Sequence, residues 1–253
     1  MPKPLIIGHR GASRFAPENT MAAFQLALEA GADGVEFDVR LSRDEVPVII
    51  HDDNLRRTGT TPSRVADLTL SELQAIDVGS WFPSKEFAGE RVLTLDQLFE
   101  LFSSTNSLLY LEMKCDPAER DKLAQVCAGA INLSPLKSRV IVECFDLAGI
   151  ATIKTIDPTI RTAALFEPSL ANPPFITSVK RLVEQAVAVG ADEIALHHRL
   201  ARDRVVEAAK RSNLSVVVWT VDNPSWIARA NASGVTSLIT NDPGLMVRHR
   251  DLN

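Results

Sequence analysis

Strand-like and helix-like stretches of apolar and polar positions alternate along the chain, a pattern that predicts an α/β fold with a mainly parallel sheet. Leu5–Gly8 is a short apolar run ending at a glycine. After a loop, Asn19 or Thr20 can cap a helix over Met21–Ala30, with apolar positions at Phe24, Leu26, Ala27 and Leu28 and with Gly31 as terminator. β-rich runs follow at Gly34–Leu41 and Val46–Ile50, separated by the turn-like Ser42–Glu45. From His51 to about Arg91 the periodicity is weak, with one short helix predicted over Leu70–Ile76. This stretch carries Trp81, Phe82 and Phe87 and reads as an insertion rather than a linker. Leu93–Phe102 is predicted as a helix opened by Thr94 as its cap.

The remaining strand candidates are Leu108–Met113, Arg139–Cys144, Arg161–Phe166, Glu193–His197, Ser215–Thr220 and Ser237–Thr240, and helices fit between most of them. The link between Gly34–Leu41 and Val46–Ile50 is too short for a crossover helix, so the two runs form an antiparallel hairpin. Counting that hairpin as one strand leaves eight. The expectation is a (β/α)8 TIM barrel in a single domain over residues 1–253, with a small insertion at about 52–91 after the second-strand hairpin.

Bulk composition narrows the function classes. The chain has 253 residues, 45% of them hydrophobic and 23% charged, an ordinary globular balance. A net charge of −5 argues against nucleic acid as a partner. A small anionic substrate stays compatible with it, because local groups and a bound cation set the field in a cleft. Cys115, Cys127 and Cys144 show no metal-binding spacing and read as reduced thiols of a cytoplasmic protein. The apolar run before Gly8 is far too short for a signal peptide or a membrane span, so no stable membrane insertion is expected. The oligomeric state is open, a homodimer included.

Active sites of such barrels form at the C-terminal ends of the strands. Those positions carry His9, Glu36, Asp38, Glu112, Lys114, Cys144, Phe145, His197, Trp219 and Thr220. Glu36 and Asp38 are two apart and point to one face of their strand, with Glu112 arriving from its neighbour. Ionised carboxylates crowded in a barrel interior repel one another, and one divalent cation, Mg2+ or Ca2+, would relieve them. The competing explanation is a structural network with Arg or Lys. With the hairpin turn centred between Arg43 and Asp44, Glu36 lies opposite His51 and Asp38 opposite Ile49, so His51 returns to the acids. His9 reaches them from the first strand. Either histidine alone reads as structural; together beside three carboxylates they suit acid–base cleavage of a phosphodiester. Arg10 and Lys114 are the candidate phosphate partners.

These residues carry a family resemblance. The stretches His9-Arg10-Gly11-Ala12, Ala16-Pro17-Glu18-Asn19-Thr20, Val35-Glu36-Phe37-Asp38-Val39, Pro47-Val48-Ile49-Ile50-His51-Asp52, Leu109-Tyr110-Leu111-Glu112-Met113-Lys114 and Val218-Trp219-Thr220-Val221 occur in order along the chain. Together they resemble the bacterial glycerophosphodiester phosphodiesterases of the phospholipase-C-like superfamily. The resemblance implies metal-dependent hydrolysis of a small-molecule glycerophosphodiester to glycerol 3-phosphate and an alcohol. It implies His9 and His51 as the catalytic pair and Glu36, Asp38 and Glu112 as metal ligands. It implies Trp219 beside the glycerol, with Phe145 shaping that pocket. The chain departs from the commoner family pattern at Cys144, Thr236 and Asn241, where serine, aspartate and aspartate are expected.

Two rivals follow from the same residues. One is a related phosphodiesterase acting on lysophospholipids, for which Trp81, Phe82 and Phe87 are the candidate apolar groove. The other is a non-catalytic barrel that binds phosphorylated ligands. That rival predicts a missing histidine or carboxylate, and none is missing.

Overall fold

Eight parallel strands close on themselves in a computed structural model that describes residues 3–114, 116–168 and 178–252. They are β1 (Leu5–His9), β2 (Gly34–Leu41), β5 (Leu108–Met113), β6 (Val140–Cys144), β7 (Arg161–Phe166), β8 (Glu193–His197), β9 (Ser215–Trp219) and β10 (Ser237–Thr240). Pairing of β1 with both β10 and β2 closes the barrel. The short β3 (Pro47–Ile49) and β4 (Leu93–Thr94) extend the sheet beside β2 in antiparallel order. The helices alternate with the strands as α1 (Met21–Glu29), α2 (Leu70–Gln74), α3 (Leu95–Phe102), α4 (Arg120–Leu133), α5 (Leu147–Ile156), α6 (Val179–Ala188), α7 (Asp203–Arg211), α8 (Ser225–Ser233) and α9 (Pro243–Leu252).

Alternation along each strand separates two cores. Outward residues such as Ile6, Val35, Phe37, Leu109, Leu111 and Val142 pack against the helices, where Phe24, Leu98 and Phe102 meet them. Inward residues Ile7, Tyr110, Ile141, Leu165, Val217 and Ile239 fill the barrel itself. Below them the Tyr110 hydroxyl contacts Glu193 (3.1 Å) and Ser237 (3.3 Å), and Arg161 donates to Glu193 (2.6 Å). That end is closed by hydrogen bonds, which leaves the opposite end for the site.

Local chemistry explains the boundaries. Thr20 is the N-cap of α1 and accepts from the Ala23 N–H, while Asn19 turns with a φ of 60° toward the barrel. Gly31 ends α1 at a φ of 76°. Thr94 caps α3 through a reciprocal capping box with Gln97, so the helix begins at Leu95 and Leu93 belongs to a strand.

The hairpin register differs by one residue from the expected one. Val39 pairs with Ile49 and Arg40 with Val48, and the Ile50 N–H donates to the Asp38 carbonyl. The reason is the turn: Glu45 takes the left-handed conformation at a φ of 62°, and the Ser42 N–H pairs with the Val46 carbonyl. A turn of three residues moves the pairing along by one. His51 therefore lies just past the hairpin strand, in the loop that follows it.

Val48, Ile50, Leu55, Val65, Leu73, Val78 and Val92 form a separate cluster that anchors the segment after the hairpin beside the barrel mouth. In that segment Phe82 meets Trp81 and Phe87 edge to face, at 5.8 and 5.5 Å. Cys127 and Cys144 are buried, and Cys115 lies outside the described residues. Among the described residues no helix is long and apolar enough to cross a membrane.

Candidate active site

Strand alternation turns Glu36 and Asp38 into the barrel, and the register aligns Asp38 with Glu112 and Glu112 with Glu143. Four carboxylates on three adjacent strands thus share one interior, and each is 7% exposed or less. Arg10 reaches them because the backbone turns left-handed twice in succession, at a φ of 53° for Arg10 and 85° for Gly11. Any side chain at Gly11 would meet the Ala23 backbone at 2.6 Å. The Arg10 N–H donates to Glu36 Oε2 (3.0 Å), and its guanidinium bridges Glu18 (2.7 Å) and Asp38 (3.1 Å). Lys114 Nζ lies 2.7 Å from Glu112 Oε1 and 3.3 Å from Asp38 Oδ1. Asn19 completes the shell by donating its side-chain amide to Asp38 Oδ2 at 2.7 Å.

The acids differ in charge state because their neighbours differ. Burial opposes ionisation of Asp38, but Arg10 and Lys114 outweigh it and hold its carboxyl well below the usual carboxylate range. Glu36 is raised well above that range by burial and then by the charges of Asp38 and Glu112. Burial and Asp38 push Glu112 up to about 7 against the pull of Lys114. Glu143 is raised by burial, then by Glu36 and Glu112. One oxygen from each of Glu36, Glu112 and Glu143 lies within 4.8 Å of the others. This is an all-oxygen donor set of the kind that hard divalent cations take.

Each histidine engages its Nδ1. His9 Nδ1 is 2.7 Å from Asn241 Oδ1, and Asn241 donates its own amide to Asp222 Oδ2 at 2.8 Å. An amide oxygen only accepts, so the proton of His9 is assigned to Nδ1 and Nε2 is left as a base. That nitrogen lies 3.8 Å from Glu36 Oε2. Burial and the neighbouring Arg10 lower His9 to about 4. His51 Nδ1 is 2.7 Å from Asp52 Oδ1, and Arg57 holds the other Asp52 oxygen at 2.8 Å. Burial likewise lowers His51, with Asp38 opposing it. Arg57 also holds Glu18 through two bonds of 2.8 and 2.7 Å, so a chain of charges runs from His51 to Arg10.

A cavity of about 390 Å³ brings together His9, Arg10, Glu36, His51, Glu112, Lys114, Phe145 and Trp219. Asp38 lies behind its wall, tied to Arg10 and Lys114. Phe145 and Trp219 stand perpendicular at the rim, 5.5 Å apart, and Lys114 Nζ is 5.6 Å from the Phe145 ring. The cavity also takes Glu143, Leu165, Glu167 and Ile239, which were not singled out from the sequence. Glu143 was within reach: it occupies the same inward phase of its strand as Glu112 does. Arg57 and Asp222 carry no such signal, since both lie in loops.

The glycerophosphoryl diester phosphodiesterase family model matches residues 9–245. A glycerophosphodiester phosphodiesterase of Caldanaerobacter subterraneus is 33% identical over 97% of each chain. The crystal structure of a putative glycerophosphoryl diester phosphodiesterase from Silicibacter pomeroyi superposes with a TM-score of 0.87 at 26% identity, covering 99% of this chain and 94% of that one. A phosphodiesterase of Oleispira antarctica, solved in complex with the product sn-glycerol-3-phosphate, has the same TM-score of 0.87 at 26% identity, with 98% and 97% covered. With the family model spanning both histidines and all four buried carboxylates, the chain belongs to the glycerophosphoryl diester phosphodiesterase family.

Proposed function

We propose that the chain hydrolyses glycerophosphodiesters to sn-glycerol 3-phosphate and an alcohol, with a divalent cation and with His9 and His51 as acid–base pair. The observation that carries this reading is one cavity lined by two imidazoles, each engaged at Nδ1, and by the buried carboxylates beside Arg10 and Lys114. The Oleispira antarctica relative binds the same product. Trp81, Phe82 and Phe87 pack on one another and take no part in the cavity lining, which favours a water-soluble diester over a lysophospholipid. A single domain working in the cytoplasm is part of the same proposal.

Glu36, Asp38 and Glu112 would hold the cation, and the site suits one: when ionised, its four carboxylates exceed the two cations Arg10 and Lys114. When bound, the ion supplies Lewis-acid polarisation of the phosphodiester. Arg10 and Lys114 pair with the non-bridging phosphate oxygens, where negative charge accumulates as the bond breaks. His9, neutral and aimed through Nε2, accepts the proton of the nucleophile, which is the glycerol 2-hydroxyl or water. His51 protonates the departing alkoxide, a role favoured by the Asp52 carboxylate at its Nδ1. Trp219 and Phe145 line the glycerol side.

The test is release of glycerol 3-phosphate from glycerophosphocholine and glycerophosphoethanolamine, with and without EDTA and with Mg2+ or Ca2+ restored. Release abolished by EDTA and rescued by one cation is the expected result. Folded protein that releases nothing with any cation would refute the assignment.

A further inference from the structure

The carboxylate cluster contains a member that the proposed set of metal ligands does not use. Glu143 faces the barrel interior from β6, directly beside Glu112 on β5. It is 1% exposed, and its Oε2 has no hydrogen-bond partner. A buried carboxylate oxygen without a donor is expensive, and such atoms persist where a ligand completes them. Glu143 also lines the cavity beside Glu36, His51 and Lys114, so its free oxygen has room in front of it.

Asp38 differs in facing two cations as well as the cluster. Its two oxygens already face Asn19, Arg10 and Lys114 at 2.7, 3.1 and 3.3 Å. The oxygens that converge without Asp38 belong to Glu36, Glu112 and Glu143, all within 4.8 Å of one another. Oxygen ligands stand about 2.3–2.6 Å from Ca2+, so two on opposite sides of one ion are up to about 5 Å apart. The observed spread therefore fits a single ion.

Resting on the metal-dependent reading above, we propose that Glu143 is a further ligand of the catalytic cation, joining Glu36, Glu112 and Asp38, the last of which also fixes Arg10 and Lys114. Charge balance agrees. Four ionised carboxylates against Arg10 and Lys114 leave two negative charges, which one divalent ion neutralises. A set this rich in carboxylates resembles a Ca2+ site, since Mg2+ is usually held by one or two carboxylates and several waters.

Glu143→Gln keeps the shape and removes the charge. Isothermal titration of metal-free wild type and variant with Ca2+ and with Mg2+ reads the effect directly. The expected result is a loss of Ca2+ affinity of roughly 10- to 100-fold, the scale on which groups around a bound ion alter its affinity. Thermal unfolding separates this from a structural role: metal-free E143Q should melt at or above the wild-type temperature, yet gain less on adding Ca2+. Equal Ca2+ affinity in both proteins, or a metal-free variant that melts well below wild type, overturns the assignment of Glu143. Wild-type protein that takes up neither cation overturns the metal-dependent function together with it.

Discussion

His9 Nδ1 and Asn241 Oδ1 meet at 2.7 Å, joining the end of the first barrel strand to the residue that follows the last. The contact makes the proton inventory of His9 depend on a neutral amide. Asn241 is itself oriented by Asp222, which accepts both its side-chain amide and its backbone N–H, each at 2.8 Å. In Asn241→Asp the acceptor becomes an anion, which stabilises the charged imidazole and raises His9 from about 4. The acid limb of the kcat/KM profile should therefore move to higher pH. The new carboxylate also faces Asp222, so the variant should melt at a lower temperature. An acid limb that stays in place would mean that His9 is not the group that must be deprotonated.

Replacing either histidine of the proposed acid–base pair should remove a proton carrier. His9→Ala and His51→Ala should each lower kcat by about 10²–10⁴. The double variant should fall well short of the product of the two losses, because residues acting as a unit are not additive. Calcium titration of the variants serves as the control, since neither imidazole is assigned to the cation.

Arg57 links the segment after the hairpin to the site through Asp52 and Glu18. Arg57→Met removes one partner from each carboxylate, leaving Glu18 to Arg10 and Asp52 to His51, and a hydrogen bond to a charged group contributes about 1.5–3 kcal/mol. The expected outcome is a drop in kcat of roughly tenfold or more with a smaller change in KM, because His51 would lose part of its orientation while Lys114, the proposed phosphate partner, is untouched. Steady-state kinetics against glycerophosphocholine would show the split.

How much of this was legible depended on whether a residue lay on a strand. Period-two alternation identified Glu36, Asp38 and Glu112 as inward neighbours, and the structure aligns Asp38 with Glu112. The same alternation along Val140–Cys144 points Glu143 inward, but the C-terminal position that marks a barrel site there falls on Cys144 and Phe145 instead. The hairpin register slipped by one because Glu45 adopts a left-handed conformation that residue type alone does not announce. Asp52, Arg57 and Asp222 act from loops, where no period exists to reveal which way a side chain faces.

At the closed end of the barrel, Tyr110→Phe tests whether the polar plug is structural. The change removes a hydroxyl that contacts Glu193 and Ser237, so that among the described residues Arg161 alone still donates to the buried Glu193 carboxylate. Loss of a partner for a buried polar group costs about 1–3 kcal/mol, so the melting temperature should fall while kcat and KM hold. A fall in kcat at unchanged stability would implicate the plug in the site's geometry.

Cation binding and pH should be linked through the buried acids. In the metal-free protein Glu112 is raised from 4.5 to about 7, so the folded state holds a proton that the unfolded state has released between those values. Its contribution to stability therefore falls as pH rises through that window. His9 works in the opposite sense: lowered from 6.5 to about 4, it leaves the unfolded state with the extra proton and favours folding as pH rises between those values. Glu36 and Glu143, raised by burial, act in the same sense as Glu112, and His51, lowered by burial, in the same sense as His9, so the opposing contributions partly cancel between about 4.5 and 6.5. A cation held by Glu36, Glu112 and Glu143 requires all three to be ionised, which removes the opposing contribution and leaves that of His9 and His51. Saturating Ca2+ should accordingly raise the melting temperature more at pH 7.5 than at pH 5, because at the lower pH the ion must displace protons from the carboxylates. Differential scanning calorimetry at both pH values, with Ca2+ and with EDTA, measures the difference. Equal stabilisation at the two pH values would mean that the ion binds without displacing protons from Glu36 and Glu112.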